Sequence, residues 1–495
     1  MPRNTRENMG NKALVIGSGI AGLSAAIRLQ CKGYQVTILE KNHQYGGKIS
    51  QIKSKGYSFD TGPSLFTLPE LIDELYELTG QKNQFKYLKL DKVCTYFFDN
   101  GQQFVANSDP KKFSIEFSQA FNEPLPKVKK FIKRIKRNYD LTTPVFLESS
   151  LHTPKTYLRR SGLYGILNLW RLNMFQTMNK NISLYFKNPN AIQYFNRFAT
   201  YNGSNPYQAP ATLCVIPNIE INKGAYFPKY GMVNIAESLY NLAKSIGVTF
   251  KFDTEVQKIC YKQKKVTGVE TKNGIFIPSE VIVSNVDAKL TYKMLDKKVP
   301  SKISNAENSS SAVIFYWGIN HSFKELGLHN ILFSKNYQEE FNQIFNKKTL
   351  PDDPTVYINI SSKLKASDAP EGCENWFVMI NTPADYGQNW DDLVAQAKEK
   401  IIQRINQALG TDIRSKIQTE HILTPPLIAS KTGSDKGSLY GSSSNTKMSA
   451  FLRQSNFSSE AKGLYFCGGS VHPGGGIPLC LHSAKIVSDF IPSIK

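Results

Sequence analysis

The stretch from Ala13 to Glu40, ALVIGSGIAGLSAAIRLQCKGYQVTILE, constrains the fold of this chain more than any other stretch. Its pattern predicts a short buried strand, a glycine turn, a helix and a second, parallel strand. Gly17, Gly19 and Gly22 have the spacing G-x-G-x-x-G. The first glycine permits the turn, the second lets the backbone approach a diphosphate, and the third lets the helix pack closely on the sheet. These features predict a doubly wound α/β domain that binds a dinucleotide.

The two ends of this βαβ unit carry chemistry that would hold such a nucleotide. The predicted helix starts at Ile20 and Ala21, where free amides and the positive end of the helix dipole favour a diphosphate. The second predicted strand, Gln35–Leu39, ends at Glu40, whose carboxylate can accept hydrogen bonds from both hydroxyls of a ribose. Because the same negative charge would repel a 2′-phosphate, we do not expect the chain to bind NADP.

Further glycine-containing segments predict additional contacts to an anion. Lys41–Ile49, KNHQYGGKI, places a glycine pair directly before Lys48, and its position after the βαβ unit favours an anion site over an ordinary surface turn. Near the other end of the chain, three glycines at 474–476 directly precede Ile477 and Pro478. Proline is favoured in the first turn of a helix, so a second helix N-terminus would point into the same site.

Several other positions are weaker candidates when the sequence is read alone. Gly62 and Pro63 form a predicted turn after a short strand, and Val256 and Asn285 lie at the ends of predicted strands. His472, a lone histidine beside a proline, is more typical of a structural residue than of a catalytic one.

Composition narrows the class of protein. The 495 residues are 41% hydrophobic, which suits two or three domains with large cores. The formal net charge is +21, which suits an anionic partner, yet no zinc spacing, RNA-binding motif or helix-turn-helix accompanies it, so we expect no nucleic acid and no metal ion. The seven cysteines are scattered without a C-x-x-C pair, which indicates a reduced, cytoplasmic protein. No apolar run approaches the ~20 residues of a membrane-spanning helix.

A basic region in the first half of the chain predicts contact with a membrane surface. Lys127–Tyr139 has apolar residues at helical spacing with Lys and Arg between them, and Leu158–Phe186 is an apolar stretch with basic edges. The apolar residues of this second stretch include Leu163, Ile166, Leu167, Trp170, Phe175 and Met178, and its basic edges are formed by Arg159, Arg160, Arg171 and Lys180. The alternative is an ordinary helical domain with a solvated basic face.

The order of these segments, with YSFDTGPSLFT, FPKYGMVNIAESL and GLYFCGGSVHPGGGIPLCLHSAKIVSDF, resembles the bacterial phytoene desaturase family of FAD-dependent carotenoid desaturases over nearly the whole chain. The C-terminal part is most similar to the carotenoid 3,4-desaturases. The resemblance implies a Rossmann-type FAD-binding domain of the glutathione-reductase and amine-oxidase kind in three segments, 11–105, 224–290 and 460–492. It also implies a helical, membrane-facing cap at 111–215 and a β-rich substrate domain at 300–430.

The resemblance further implies the site. FAD would be held noncovalently by Gly17, Gly19, Ile20, Ala21, Gly22, Glu40, Lys41, Gly47, Lys48, Gly62, Pro63, Ser64, Val256, Asn285, Gly469, Gly476, Ile477 and Pro478. Family members carry an acidic residue three positions before an arginine in the cap. Here Arg159 matches that arginine and is the catalytic candidate, but Thr156 stands at the acidic position.

The activity implied is the introduction of a C=C bond, at C-3,4, into an acyclic or half-cyclised carotenoid, with hydride passing to the flavin and a quinone or dioxygen as the final acceptor. We expect a cytoplasmic protein that is peripherally attached to the inner membrane. Other enzymatic readings are a multi-step phytoene desaturase, a carotene isomerase or a flavin amine oxidase. The non-enzymatic reading is an escort protein for prenylated small GTPases, which binds an isoprenoid without flavin chemistry.

Overall fold

The computed structural model describes residues 11–159, 162, 164, 165, 168, 172–446 and 453–494. Its strands, in chain order, are β1 Lys12–Ile16, β2 Gln35–Leu39, β3 Gln51–Ser54, β4 Tyr57–Asp60, β5 Tyr87–Lys89, β6 Lys92–Phe97, β7 Gln103–Asn107, β8 Tyr226–Pro228, β9 Thr249–Lys251, β10 Val256–Lys262, β11 Lys265–Thr271, β12 Phe276–Pro278, β13 Val281–Ser284, β14 Ser311–Ile319, β15 His329–Leu332, β16 Val356–Asn359, β17 Glu374–Thr382, β18 Ile417–Leu423 and β19 Leu464–Phe466.

The α-helices described are α1 Ile20–Cys31, α2 Glu70–Thr79, α3 Pro110–Phe121, α4 Leu125–Thr142, α5 Pro154–Leu158, α6 Met178–Ser183, α7 Pro189–Asn196, α8 Ile216–Asn218, α9 Val233–Ser245, α10 Ala288–Met294, α11 Ser301–Ser304, α12 Tyr337–Asn342, α13 Trp390–Leu409, α14 Pro425–Thr432 and α15 Ile477–Phe490. Three π-helical turns, Thr143–Leu147, Ile219–Lys223 and Gln343–Lys347, extend α4, α8 and α12. Short 3₁₀ turns lie at Arg197–Asn202, Ala211–Val215, Ser361–Lys363, Ala366–Asp368, Arg414–Lys416 and Asp435–Gly437.

A five-stranded parallel sheet in the order β19-β13-β1-β2-β9 forms the nucleotide-binding domain. Strand β1 is buried on both faces, which explains its continuous apolar sequence. Ala13 and Val15 pack on the layer of α1, α9 and α15. Leu14 and Ile16 pack on the opposite side against the antiparallel sheet β10-β11-β12. The βαβ unit predicted at Ala13–Glu40 is confirmed, and strands from well-separated parts of the chain complete its sheet.

A seven-stranded sheet in the order β18-β14-β17-β16-β15-β6-β7 forms the second layer system. One face packs on α13 through a core that includes Phe315, Trp317 and Val378. Strand β6 pairs in parallel with β15, with Thr95 opposite Asn330. The segment 92–107 therefore belongs to this sheet, which corrects the boundary expected at 11–105 for the first nucleotide-binding segment. The pairing joins strands that are far apart in sequence, so no local pattern shows it.

Helices and turns between Pro110 and Lys223 form a third region, built on an aromatic core. The helix expected at Lys127–Tyr139 is confirmed as α4, but its apolar residues Val128, Phe131 and Ile135 are buried in that core. Its apolar face is therefore not available to a bilayer, whereas its lysines lie on the surface. Among the described residues, no helix combines the length and hydropathy needed to cross a membrane.

Several of the residues named in the apolar stretch lie outside the described residues, namely Arg160, Leu163, Ile166, Leu167, Trp170 and Arg171. Of the described ones, Met178 is fully buried, but Leu158 is 83% exposed and Phe175 is 86% exposed. This stretch therefore contains both core residues and large apolar side chains on the surface.

Candidate functional site

One cavity of about 930 Å³ lies where the parallel sheet, the seven-stranded sheet and the helical region meet. Its volume is at the upper end of the range for cofactor and ligand sites. The proposed cofactor residues on its wall are Gly17, Gly19, Ile20, Ala21, Glu40, Lys41, Gly47, Lys48, Gly62, Pro63, Ser64, Val256, Asn285, Gly469, Gly476, Ile477 and Pro478. The structure therefore brings together residues from all three chain segments assigned to the nucleotide-binding domain.

The glycine turn after β1 is shaped by close contacts. Gly17 has φ +93°, and its amide donates to the carbonyl oxygen of Leu39 at 2.8 Å. A Cβ atom on Gly19 would lie 2.7 Å from Nδ2 of Asn285, so the Asn285 side chain covers this turn. A Cβ atom on Gly22 would lie 2.1 Å from the carbonyl oxygen of Gly17. Gly22 is not on the cavity wall, and its role is the close packing of α1 rather than contact with a cofactor.

Two helix N-termini open into the cavity without a side-chain cap. Helix α1 follows Gly19 and helix α15 follows Gly476. At neither N-terminus does a capping side chain accept a hydrogen bond from the first amides. Their free amides can therefore bind an anion. Gly476 has φ +105°, and no atom lies within 4 Å of the position of its missing Cβ. These two N-termini fit a ligand that carries a diphosphate near α1 and an anionic ring near α15.

Glu40 is buried at the end of β2 and is already engaged by four donors. Its Oε2 accepts from the amide and the hydroxyl of Ser18, both at 2.8 Å. Its Oε1 accepts from the amide of Asn42 at 3.0 Å and from the Asn42 side chain at 2.8 Å. The Glu40 carboxylate is therefore not reserved for two ribose hydroxyls, because a ribose would share it with these partners. The sequence pattern did not identify Ser18 or Asn42.

Lys48 lies on the cavity wall, and its Nζ donates to the carbonyl oxygen of Leu439 at 2.8 Å. Its side chain is exposed by surface area but lies within the cavity, among protein atoms that desolvate it. This desolvation lowers the pKa of the Lys48 ammonium, and the nearby Cys480 and Asp287 oppose the shift. A Cβ atom on Gly62 would lie 2.4 Å from the carbonyl oxygen of Lys48, so Gly62 is needed for the loops to meet.

The C-terminal glycine loop is held by a buried arginine that the sequence did not single out. Arg453 donates through Nη1 to the carbonyl oxygens of Tyr440 at 2.9 Å and Gly469 at 3.3 Å. Burial lowers the pKa of Arg453 to about 10. His472 is also buried, and its Nε2 donates to the carbonyl oxygen of Ser149 at 2.8 Å. Burial lowers the pKa of His472 to about 4, which fits the structural role expected for it.

The other half of the cavity is mostly apolar and was not predicted residue by residue. One face of the seven-stranded sheet supplies Tyr316, Phe377 and Met379. The helical region supplies further walls, at Tyr139, Phe146, Leu147, Leu151, Leu172, Ile216 and Ile219. The strands concerned are buried on both faces, so their sequences lack the alternation that would mark a cavity face.

A compact polar group lies within this apolar half. Arg197 and Glu220 form an ion pair at 3.3 Å, and their side chains are only 5% and 3% exposed. Tyr201 donates to Glu220 at 2.7 Å and accepts from Arg197 at 2.6 Å. The side chains of His329, Tyr357 and Ser64 are joined by hydrogen bonds and also line the cavity.

The arginine expected to be catalytic is not part of this site. Arg159 is exposed at the end of α5 and is not on the cavity wall. Thr156, which stands at the acidic position of the family pattern, is buried and donates to the carbonyl oxygen of Ser150 at 2.6 Å. The geometry therefore gives no support to an acid/base role for this pair. In the described part of the chain, no three His, Cys, Asp or Glu side chains group as metal ligands would.

Comparison with known proteins agrees with this geometry. The family model for flavin containing amine oxidoreductases matches residues 20–491. A 1-hydroxycarotenoid 3,4-desaturase from Flavobacterium sp. is 49% identical over 97% of this chain and 99% of its own length. A phytoene desaturase from Fusarium fujikuroi is 30% identical over 97% of this chain and 88% of its own length.

The fold also matches solved structures at low sequence identity. An oxidoreductase from Methanosarcina mazei superimposes with a TM-score of 0.65 at 14% identity, over 97% of this chain and 100% of that chain. The family model, the two desaturase relatives and the cavity with two uncapped helix N-termini lead to one assignment: the chain belongs to the flavin containing amine oxidoreductase family and has the FAD-binding fold of that family.

Proposed function

We propose that this chain is an FAD-dependent carotenoid desaturase that introduces a C=C bond, at C-3,4, into an acyclic or half-cyclised carotenoid. The observation that carries the proposal is one cavity in which glycine turns and helix N-termini at one end adjoin an apolar chamber at the other. The relatives named as a 1-hydroxycarotenoid 3,4-desaturase and a phytoene desaturase support the substrate class.

The residues of the chain divide the work of binding FAD. The amides at Gly19–Ala21 would bind the diphosphate, Glu40 would bind the ribose, and the N-terminus of α15 would face the flavin. When bound, FAD supplies the acceptor for a hydride from a saturated carbon. The two N-terminal dipoles and the Lys48 ammonium place positive charge along this end of the cavity.

The apolar chamber would orient the substrate and exclude water. A carotenoid has almost no polar surface, so its binding energy comes from burial against aromatic and aliphatic side chains. Tyr316, Phe377 and Met379 form one flat wall of the chamber, and Leu147, Leu151 and Leu172 lie on the helical side. Loss of a hydride from one carbon and of a proton from its neighbour would leave the new double bond.

We also propose that the protein is cytoplasmic and attached to the inner membrane, with a quinone or dioxygen as the electron acceptor. The segment 143–186 supports attachment, because Leu158, Phe175 and Leu184 expose large apolar surface while Leu147 and Leu172 line the cavity. A water-insoluble substrate could then pass from the bilayer to the chamber along one segment. Exposed lysines on α4 would add attraction to anionic lipids.

A pigment profile tests the activity. Cells that make γ-carotene or lycopene, with and without this chain, should differ by a carotenoid that has lost two hydrogens and absorbs at longer wavelength. A product of unchanged mass would favour an isomerase, several successive desaturations a phytoene desaturase, and peroxide formation with an amine an amine oxidase. A colourless purified protein that binds an isoprenoid would favour the escort reading.

A further inference from the structure

Three side chains linked by hydrogen bonds connect the cofactor end of the cavity with the apolar chamber. Ser64 follows the Gly62-Pro63 turn, and its Oγ lies 2.7 Å from the hydroxyl of Tyr357. The same hydroxyl lies 2.7 Å from Nδ1 of His329. Ser64, Tyr357 and His329 all lie on the cavity wall. Of these three residues, the proposed binding of FAD involves only Ser64. It leaves Tyr357 and His329 without a function.

The neighbours of His329 fix its tautomer. Nδ2 of Asn359 lies 3.1 Å from the carbonyl oxygen of Leu328 and 3.1 Å from Nδ1 of His329. Because a carbonyl oxygen only accepts, this atom of Asn359 is a donor, and Nδ1 of His329 must accept. Burial, together with the positive charge of Arg197, lowers the pKa of His329 to about 3, so the ring is neutral. The single ring proton is therefore on Nε2.

That proton has no acceptor within the described part of the protein. Nε2 of His329 is buried and lacks a hydrogen-bond partner there, although the residue is only 3% exposed. Buried N–H groups are nearly always paired, so an unpaired one on a residue that lines the cavity points to an acceptor on the ligand. The nearby Arg197 does not supply one, because a guanidinium only donates, as Arg197 does to Tyr201 and Glu220.

We propose that the Nε2–H of His329 donates a hydrogen bond to a hydroxyl oxygen on the substrate, close to the carbons that react, and so selects hydroxylated carotenoids. This inference rests on the proposed desaturase function and adds the residue that determines specificity. In a 1-hydroxylated carotenoid the oxygen lies only about 3–5 Å from C-3 and C-4. A hydrogen-bond donor for this oxygen must therefore lie beside the cofactor end of the chamber. His329 lies there, because hydrogen bonds link it through Tyr357 to Ser64.

The surroundings make this donor selective. Ile331 and Phe377 lie on the same sheet face, so an unhydroxylated chain end would leave the N–H of His329 unpaired in an apolar environment. A site built to bind a hydroxyl discriminates against the analogue that lacks it, because the unpaired polar group is costly. Tyr357 and Asn359 hold the ring by its other nitrogen and are positioning residues.

The experiment compares 1-hydroxy-1,2-dihydrolycopene with 1,2-dihydrolycopene, which differ only in the hydroxyl oxygen, on the purified holoenzyme. The ratio of kcat/KM for the two should favour the hydroxylated compound by on the order of 10- to 100-fold. Affinities are measured as well, with the flavin chemically reduced so that no turnover occurs, from the shift of the carotenoid absorption band.

His329→Leu should bring both ratios close to one, with unchanged flavin content and flavin spectrum. His329→Gln keeps an N–H near the position of Nε2 and should keep part of the preference. The matched control is His421→Leu on β18, because His421 also has an unpaired Nε2 but is not on the cavity wall. This variant should retain the full preference.

The outcomes separate the inference from the function on which it rests. If the wild type desaturates both compounds equally, or if His329→Leu keeps the full preference, the inference is overturned and the desaturase function stands. If the wild type desaturates neither, the proposed function fails, and the two affinities still decide whether His329 binds a hydroxyl. If His329→Leu loses its flavin, the inference is tested by comparing the kcat/KM ratio of His329→Gln for the two compounds with that of the wild type.

Discussion

The hydroxyl and the amide of Ser18 both donate to one carboxylate oxygen of Glu40, each at 2.8 Å. This contact ties the end of β2 to the glycine turn after β1, so it holds together the residues that we propose to bind the ribose and the diphosphate. A carboxylate in this place has a structural task in addition to its expected contact with ribose.

Glu40→Ala should therefore weaken FAD retention by loosening the turn as well as by removing an acceptor, on the order of 10-fold in Kd or more. The flavin released from denatured protein can be identified and counted by chromatography. Glu237→Ala is the control, since Glu237 is exposed on α9. Recovery of FMN or NADP from the wild type would contradict the assignment.

Gly476→Ala should lower desaturation and disturb the flavin spectrum. Its backbone, at φ 105° and ψ 154°, disfavours a side chain, and the added methyl would enter the cavity at the start of α15. Moving amides away from the flavin can cost on the order of 100-fold in turnover. Gly476→Val should act in the same direction and more strongly.

Gly224→Ala is the matched control for this change. Gly224 has nearly the same backbone conformation, at φ 96° and ψ 166°, but is not on the cavity wall. Both variants should lose roughly 1–3 kcal/mol of stability from backbone strain. Equal activities of the two variants would show that the glycine before α15 is an ordinary turn residue.

Stability should fall as the pH is lowered from about 6.5 to about 4, the ordinary and the native pKa of His472. Burial, Arg453 and His152 keep this ring neutral in the native state, whereas the unfolded chain binds a proton in that interval. The unfolded state is then favoured increasingly as the pH falls. His472→Gln keeps an N–H for Ser149 but does not titrate, so its melting temperature should decline less between pH 7 and pH 5. Parallel declines would exclude His472 as the cause.

Glu220→Gln should destabilise the protein by roughly 3–5 kcal/mol, because it leaves the Arg197 guanidinium buried without a counter-charge. Asp140→Asn provides the comparison, since the Lys136–Asp140 pair at 2.7 Å is more than half exposed on each side. That change should cost less than about 1 kcal/mol. Urea unfolding followed by circular dichroism measures both, and a small loss in Glu220→Gln would mean that water reaches the pair.

Flotation with liposomes tests membrane attachment. Binding should be stronger to anionic than to neutral vesicles, and should weaken as salt rises, because each exposed lysine near the surface contributes about 1 kcal/mol. Phe175→Asp should reduce binding to both kinds of vesicle. Ile275→Asp is the control, since Ile275 is 60% exposed but lies on the turn between β11 and β12. Absence of binding to any vesicle would remove the proposal.

Local patterns predicted the fold of the nucleotide-binding domain well, whereas the residues of the apolar chamber were not predicted from them. The glycine spacing from Gly17 to Gly22 and the helix that begins at Ile477 are set by neighbouring residues, so the sequence carries their signal. Strand β6 lies outside the parallel sheet, although the segment 11–105 was expected to belong to the nucleotide-binding domain, and its partner β15 is far away in sequence. The amphipathic pattern of α4 shows that one face is apolar, but it cannot show that Phe131 is covered by protein and not by lipid.

The chamber residues were missed for a related reason. His329 and Tyr357 lie on strands that are largely buried on both faces, and only the cross-strand register brings His329 beside Asn359. Ser18 stands between two glycines of the fingerprint, a position for which the pattern specifies no residue. Its contact with Glu40 depends on where β2 ends in space.

The order of strands in the parallel sheet has a consequence for biosynthesis. Strand β1 leaves the ribosome long before its neighbour β13 and before the strand β19 that pairs with β13, and α15 follows β19. The nascent chain therefore carries an unfinished sheet with exposed apolar edges until these strands have been made, which favours engagement by chaperones. FAD can be captured only after α15 has been made, so cofactor supply at that stage should govern how much newly made protein reaches the native state.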